Sequence, residues 1–119
     1  MNQIATFTIR PGGDDEITKF PLYHKDNKGD AIIVVEYEGL VVAYIMHTGN
    51  QVYFLESCCP VRGAGSALVD YLKKEFEELD AINCIPTSQL FWRKMGFEPL
   101  PRAAFSMQQT GVNMRWYRE

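Results

Sequence analysis

Apolar and polar residues alternate along "QIATFTIR", residues 3–10, the pattern of a strand with one buried face. Residues 11–30 are polar and broken by Pro11, Pro21 and glycines, which predicts a loop with a short helical turn near residues 16–20. Two β-branched runs follow, "AIIVVEYEG" and "LVVAYIMHTGN", and after them "QVYFLESC". Gly49 and Asn50 supply a two-residue hairpin turn before the last run, so these three segments predict an antiparallel meander. From residue 64 the period changes. Ala64, Ala67, Leu68, Tyr71, Leu72, Phe76 and Leu79 are spaced by threes and fours, one apolar stripe on a helix, and Lys73, Lys74, Glu77 and Glu78 fall mainly on its solvated side. "AINCI", residues 81–85, has the length and composition of a buried strand. Thr87 or Ser88 then caps a second helix, "QLFWRKM", which Gly96 ends in a left-handed conformation with Phe97 closing it. The aromatic tail "NMRWYRE" predicts a final strand. A strand–helix–strand unit over residues 52–86 requires a parallel pair with a crossover. The expected fold class is therefore α+β, a mixed but mostly antiparallel sheet with helices packed on it.

The chain has 119 residues, 46% of them hydrophobic and 23% charged, which fits one domain with a real core. A net charge of −3 gives no general reason to expect nucleic acid as a partner. The longest apolar run, "LVVAYIM" at residues 40–46, is too short to span a bilayer, so no membrane is expected. No apolar leader opens the chain and the cysteines, Cys58, Cys59 and Cys84, are odd in number. The expectation is a cytoplasmic protein with reduced thiols. Zinc requires about four ligands at recognisable spacing. Cys84, His24 and His47 show none, so no metal is expected and the cysteines read as small buried hydrophobes.

The segment with most chemical content is "SCCPVRGAGSALV", where a strand hands over to a helix through a loop holding Gly63 and Gly65. Such a loop can aim several backbone N–H groups at one point. The first N–H groups of a helix lack internal partners and its dipole favours an anion, so the physical inference is a phosphate or pyrophosphate site. The plain alternative is that the glycines let the helix pack closely on the sheet. A P-loop is excluded because no Gly-Lys occurs. A dinucleotide fingerprint starting at Gly63 would put its third glycine on Leu68, within the buried stripe, and no acidic residue ends the next strand to hold a ribose.

A third pattern fits. The strand, the loop "RGAGSALVDYL", the next strand and "LFWRKMGFEPL" resemble the GNAT family of acyl-CoA N-acyltransferases. That family's pyrophosphate loop reads Gln/Arg-x-x-Gly-x-Gly/Ala. Its last helix often carries an aromatic pair, two polar residues, an apolar residue and Gly-Phe, here Phe91-Trp92-Arg93-Lys94-Met95-Gly96-Phe97. The resemblance covers residues 31–100. With Arg62 in the loop's first slot, Asp70 and Tyr71 would take the helix's buried pair. With Gly63 and Gly65 in the glycine slots, Leu68 and Val69 do, and Leu72 continues the stripe. The amphipathic pattern selects the second register. It leaves Pro60, which has no N–H, where the family has a polar side chain.

The resemblance implies an acyltransferase using acetyl-CoA as co-substrate, with a primary amine of a small molecule, a protein lysine or a protein N-terminus attacking the thioester directly in a ternary complex. Arg62, Gly63, Ala64, Gly65 and Ser66 would hold the pyrophosphate. A splayed parallel strand pair would admit the pantetheine, with backbone at Ser57, Cys58 and Cys59 polarising the carbonyl. Ser88 or Thr87, and Trp92, would border the cofactor from the second helix. Trp92 stands where the family commonly has a tyrosine that protonates the leaving thiolate; Tyr53 or Tyr117 would have to substitute. Glu56 would be the base, with His47 a weaker candidate, and the bland reading of Glu56 is a surface glutamate. Residues 1–30 are short for this family, which implies an open acceptor site with room for completion by a homodimer partner or a macromolecular substrate. Two other readings stay open: a non-catalytic CoA-binding or interaction module, and a domain whose glycines serve packing only.

Overall fold

The computed structural model describes residues 7–23, 30–57, 63–100 and 111–118. Seven strands form one sheet: β1 (Thr8–Pro11), β2 (Ala31–Tyr37), β3 (Leu40–Thr48), β4 (Gln51–Ser57), β5 (Glu78–Cys84), β6 (Glu98–Pro99) and β7 (Val112–Tyr117). Helices α1 (Ala64–Glu75) and α2 (Pro86–Lys94) follow β4 and β5. The strand order is β1-β2-β3-β4-β5-β7-β6. Every neighbouring pair is antiparallel except β4 and β5, which run parallel around the α1 crossover. The α+β class, the meander and the parallel pair thus match what the pattern of the chain implies. Thr48 pairs with Gln51 across the turn at Gly49 and Asn50, and Gly96 has φ 91° at the end of α2.

Several boundaries differ from expectation. The apolar stripe extends to Leu79, but α1 ends at Glu75 and β5 begins at Glu78, before the expected residue 81. Phe76 is extended, and Arg118 donates to the carbonyls of Lys73 and Phe76, closing the helix from the far end of the chain. Leu79 satisfies both periods because one apolar residue at the junction fits a helix stripe or a strand face equally. Neither Thr87 nor Ser88 caps α2. Ile85 holds the N-cap position and Pro86 starts the helix, where a proline loses nothing by lacking an N–H. The Ser88 hydroxyl instead donates to the Ile85 carbonyl at 3.0 Å. Pro11, read as loop, ends β1 on the sheet's edge, where a missing donor costs no ladder bond. The two-residue strand β6 carried no periodic signal.

The sheet is covered on both faces over β2–β4. Leu68, Val69 and Leu72 of α1 pack with Ile33, Val35, Ala43 and Ile45 on one face. On the other, residues 12–23 fold over Val34, Tyr44 and Met46 through Ile17 and Phe20. A short 3-10 turn at Asp14–Glu16 is tied down by Arg10, which bonds both Glu16 and Glu36. Arg10, with the Gly13 N–H, holds the Glu16 carboxyl below its usual range. At Gly12 the close approach is obligatory: a Cβ there would lie 2.6 Å from Val34 Cγ1.

Cys84 belongs to the helix-side core, and burial pushes its thiol up to about 12 from an ordinary value of 9.0. A thiol with a raised folded pKa contributes stability that is complete below about pH 9 and is lost as the pH climbs from there towards 12. Denaturation midpoints compared between pH 8 and pH 10.5 should therefore fall further for the native protein than for Cys84→Ala. Equal falls would show that this thiol does not report burial.

Candidate active site

The parallel ladder between β4 and β5 consists of two Cα pairs, Gln51 with Asp80 and Val52 with Ala81, beside a bond from the Asp80 N–H to the Asn50 carbonyl. Beyond them the strands part. A bulge between Met46 and His47 in the β3 register leaves Tyr53 without a partner, and β4 continues along β3 as far as Ser57. Meanwhile β5 follows β7, with its own irregularity before Cys84 meets Val112. The gap is a cleft of about 770 Å³, within the ~300–1,000 Å³ usual for small-molecule sites. Backbone groups of two strands that would pair in a continuous sheet line its walls.

The cleft passes through the sheet. On the helix side it is bordered by Gly63, Gly65 and Ser66 at the start of α1 and by Phe91 of α2. On the opposite side it is bordered by Leu22, Phe54 and Ile82. Phe54 packs with the core under residues 12–23. Ile82 directly follows Ala81, which faces the helices, and so points the other way; the extra residue before Cys84 returns that side chain to the helix side. Gly63 is the N-cap of α1 in the left-handed region, φ 87°, a conformation that strains other residues. It offers no side-chain acceptor, so the first N–H groups of α1 gain no side-chain cap. A Cβ on Gly65 would stand 3.4 Å from Leu55 and 3.6 Å from Phe91, which puts this residue at the narrow point between β4 and α2.

Of the residues expected at the cofactor, Ser57, Gly63, Gly65, Ser66, Ser88 and Trp92 line the cleft together, and so does Thr87. Ala64 is fully buried in the core and is not among the residues that line the cleft. Trp92 is 6% exposed and holds edge contacts to Phe91 and Phe97 at ring-centroid distances of 5.1 and 4.9 Å, so most of its indole is core. Cys58, Cys59, Pro60 and Arg62 lie outside the described residues.

Glu56 is no surface glutamate. It is 8% exposed, on the face covered by residues 12–23. Its Oε1 accepts from the Tyr44 hydroxyl at 2.8 Å and its Oε2 from the Leu22 N–H at 3.1 Å. Burial first, then the bond to Glu56, raises the Tyr44 phenol well above its ordinary pKa and keeps it a donor. Sequence reasoning missed both partners. His47 sits away from the cleft: its Nδ1 lies 2.9 Å from the Gly49 carbonyl and its ring meets Phe76 edge-on. Tyr117 pairs with Glu78 at the opposite end of β5, whereas Tyr53 lines the cleft and donates to Gln51.

No family model matches the chain, and no curated protein matches it by sequence. Solved structures do match it. A Bacillus subtilis N-acetyltransferase, YlbP, in complex with coenzyme A, superposes with a TM-score of 0.71 at 18% identity, over 94% of this chain and 97% of that one. A GCN5-related N-acetyltransferase from Rhodopseudomonas palustris gives 0.70 at 12% identity, over 98% and 99%. The chain has the GNAT fold. Arabidopsis thaliana Naa50, in complex with the bisubstrate analogue CoA-Ac-MVNAL, gives 0.64 at 14% identity, over 92% and 97%. The GNAT likeness therefore extends beyond residues 31–100, taking in the N-terminal segment where the sequence carries no motif. With it, the splayed pair, the glycine-led helix and the covering N-terminal segment form one architecture.

Proposed function

We propose that the protein is an acetyl-CoA-dependent N-acyltransferase acting on a primary amine. The observation that carries this is the cleft through the sheet between β4 and β5, open on the helix side at the uncapped start of α1 and bordered on the other side by Leu22, Phe54 and Ile82. Similar solved structures hold coenzyme A or a bisubstrate analogue, which supports the same use here. In this reading the N–H groups at the start of α1, with Ser66, bind the pyrophosphate. The backbone groups left unpaired along β4 and β5 receive the pantetheine and polarise the thioester carbonyl. The amine enters from the far face. Its nitrogen bonds to the carbonyl carbon as the carbon–sulfur bond breaks, the sulfur leaves as a thiolate, and the surplus proton then on nitrogen passes through water to that thiolate. A free alkyl amine is mostly protonated near neutrality, because its pKa is about 10.4. Glu56 lies on the amine's side of the sheet and takes that proton through water, with Tyr44 and the Leu22 N–H fixing the carboxylate. Trp92 supplies no hydroxyl proton, and the thiolate leaves without a dedicated acid.

The direct test is calorimetric titration with acetyl-CoA, followed by thiol release over an amine panel. Saturable binding and amine-dependent thiol release are expected. No binding at millimolar acetyl-CoA would end both this reading and a CoA-binding module. The second reading, a non-catalytic CoA-binding module, is favoured by Trp92 and by the occupied Glu56 carboxylate; binding without thiol release from any amine would select it.

A further inference from the structure

We infer that the acceptor is a primary amine carried on an apolar group, with no second positive charge, and that Leu22 is the residue that selects it. This rests on the acyltransferase reading and names the substrate class of the same cleft.

Recognition of a polyamine, or of a peptide with a basic first residue, requires carboxylates free to meet a second cation. Among the described residues that line the cleft, none is charged. Among the described residues, two buried carboxylates lie on the face from which the amine enters, and each has partners within the protein. Glu56 accepts from Tyr44 and from the Leu22 backbone. Asp80 receives a two-pronged bond from Arg115, at 2.6 and 2.9 Å. With Glu56 engaged by the reacting amine and Asp80 paired to Arg115, a second ammonium on the acceptor would be desolvated against Leu22, Phe54 and Ile82 with no counter-charge among the described cleft residues.

The same three side chains are suited to an apolar group. Phe54 stacks on Tyr44 with ring centroids 5.9 Å apart and is held by the core behind it. Ile82 stands across the gap on β5. Leu22 is 66% exposed, although its own backbone is anchored to Glu56. An exposed leucine on anchored backbone at the rim of a cleft gains by being covered. The anchor also sets distance: the residue contacting the acceptor's apolar group hangs from the carboxylate that takes the amine's proton. An acceptor whose amine and apolar group are adjacent spans both.

The test uses matched pairs with the full-length protein and saturating acetyl-CoA, reading kcat/KM by thiol release. Hexylamine against hexane-1,6-diamine differs only in a second ammonium. Leucylglycine amide against lysylglycine amide asks the same of a peptide, and the better of the two apolar acceptors tells small amine from peptide. The apolar member of each pair is expected to lead by about 10-fold or more, the scale of a hydrophobic contact in a pocket. Leu22→Asp should narrow or reverse that ratio, and Leu22→Ala should lower the apolar acceptors alone. Both changes leave the backbone bond to Glu56 in place. If the dicationic members are turned over as well as the apolar ones, the inference fails while acyl transfer stands. If acetyl-CoA binds and no amine of either kind releases thiol, the acyltransferase reading fails and the inference with it.

Discussion

Gly65→Glu should yield a folded protein that has lost acetyl-CoA binding, with a dissociation constant raised at least about 100-fold, equivalent to roughly 2.7 kcal/mol. A Cβ at this position is only in ordinary contact with Leu55 and Phe91, so the first carbon is accommodated. The remainder of a glutamate side chain has no room in that gap and must extend into the cleft. There it occupies space and places a negative charge at the start of α1, where the pyrophosphate is proposed to sit. Gly65→Ala separates the two effects. It adds only the tolerated carbon and gains helix propensity of up to about 1 kcal/mol, so it should melt no lower than the native protein and keep most of its affinity. Titration calorimetry with circular dichroism on the three proteins decides the matter. Native-like binding by Gly65→Glu would move the pyrophosphate away from α1.

Glu56→Gln should lower kcat by about 100-fold or more, the lower end of what a positioned base contributes, and leave acetyl-CoA affinity within about twofold. Glutamine preserves the shape and one carbonyl oxygen, so it can still accept from the Leu22 N–H or from Tyr44, and the segment over the far face stays docked. It cannot take a proton at neutral pH. Tyr44→Phe is the companion. It keeps the carboxylate but removes a buried donor, at a cost of about 1–3 kcal/mol, and should reduce stability more than turnover. If Glu56→Gln turned over at the native rate and only its melting temperature fell, Glu56 would be a strut for residues 12–23 and the proton would need another acceptor.

What could be read from the sequence was local. The turn at Gly49 and Asn50 follows from two adjacent residues, and the stripe from Ala64 to Leu72 follows from spacing alone. The family motifs add the splayed pair, because they prescribe where the parallel ladder ends. The Tyr44–Glu56 bond could not be read because of the bulge. Counting back from Thr48 opposite Gln51 without interruption would set Tyr44 opposite Leu55; the extra residue at Tyr53 moves it to Glu56. The Leu22 contact lies 34 residues from its partner and uses a backbone N–H, which has no sequence signature. The end of α1 was misread because the group that closes it, Arg118, lies over forty residues away. Ser88 was misread because Pro86 already fixes the start of α2.

The short ladder between β4 and β5 also changes how the sheet's borders are counted. A continuous seven-stranded sheet has two flanks, here β1 and β6 among the described strands. This sheet has two more, inside it, where the ends of β4 and β5 diverge past Val52 and Ala81. A flank with unpaired backbone is an invitation to any extended chain. These two face each other across a gap wider than one hydrogen bond, so neither can satisfy the other. An extended ligand with its own amide groups can run between them as a temporary strand. If the cleft takes the cofactor as proposed, the opening that admits it is also an exposed backbone surface that the cofactor would cover.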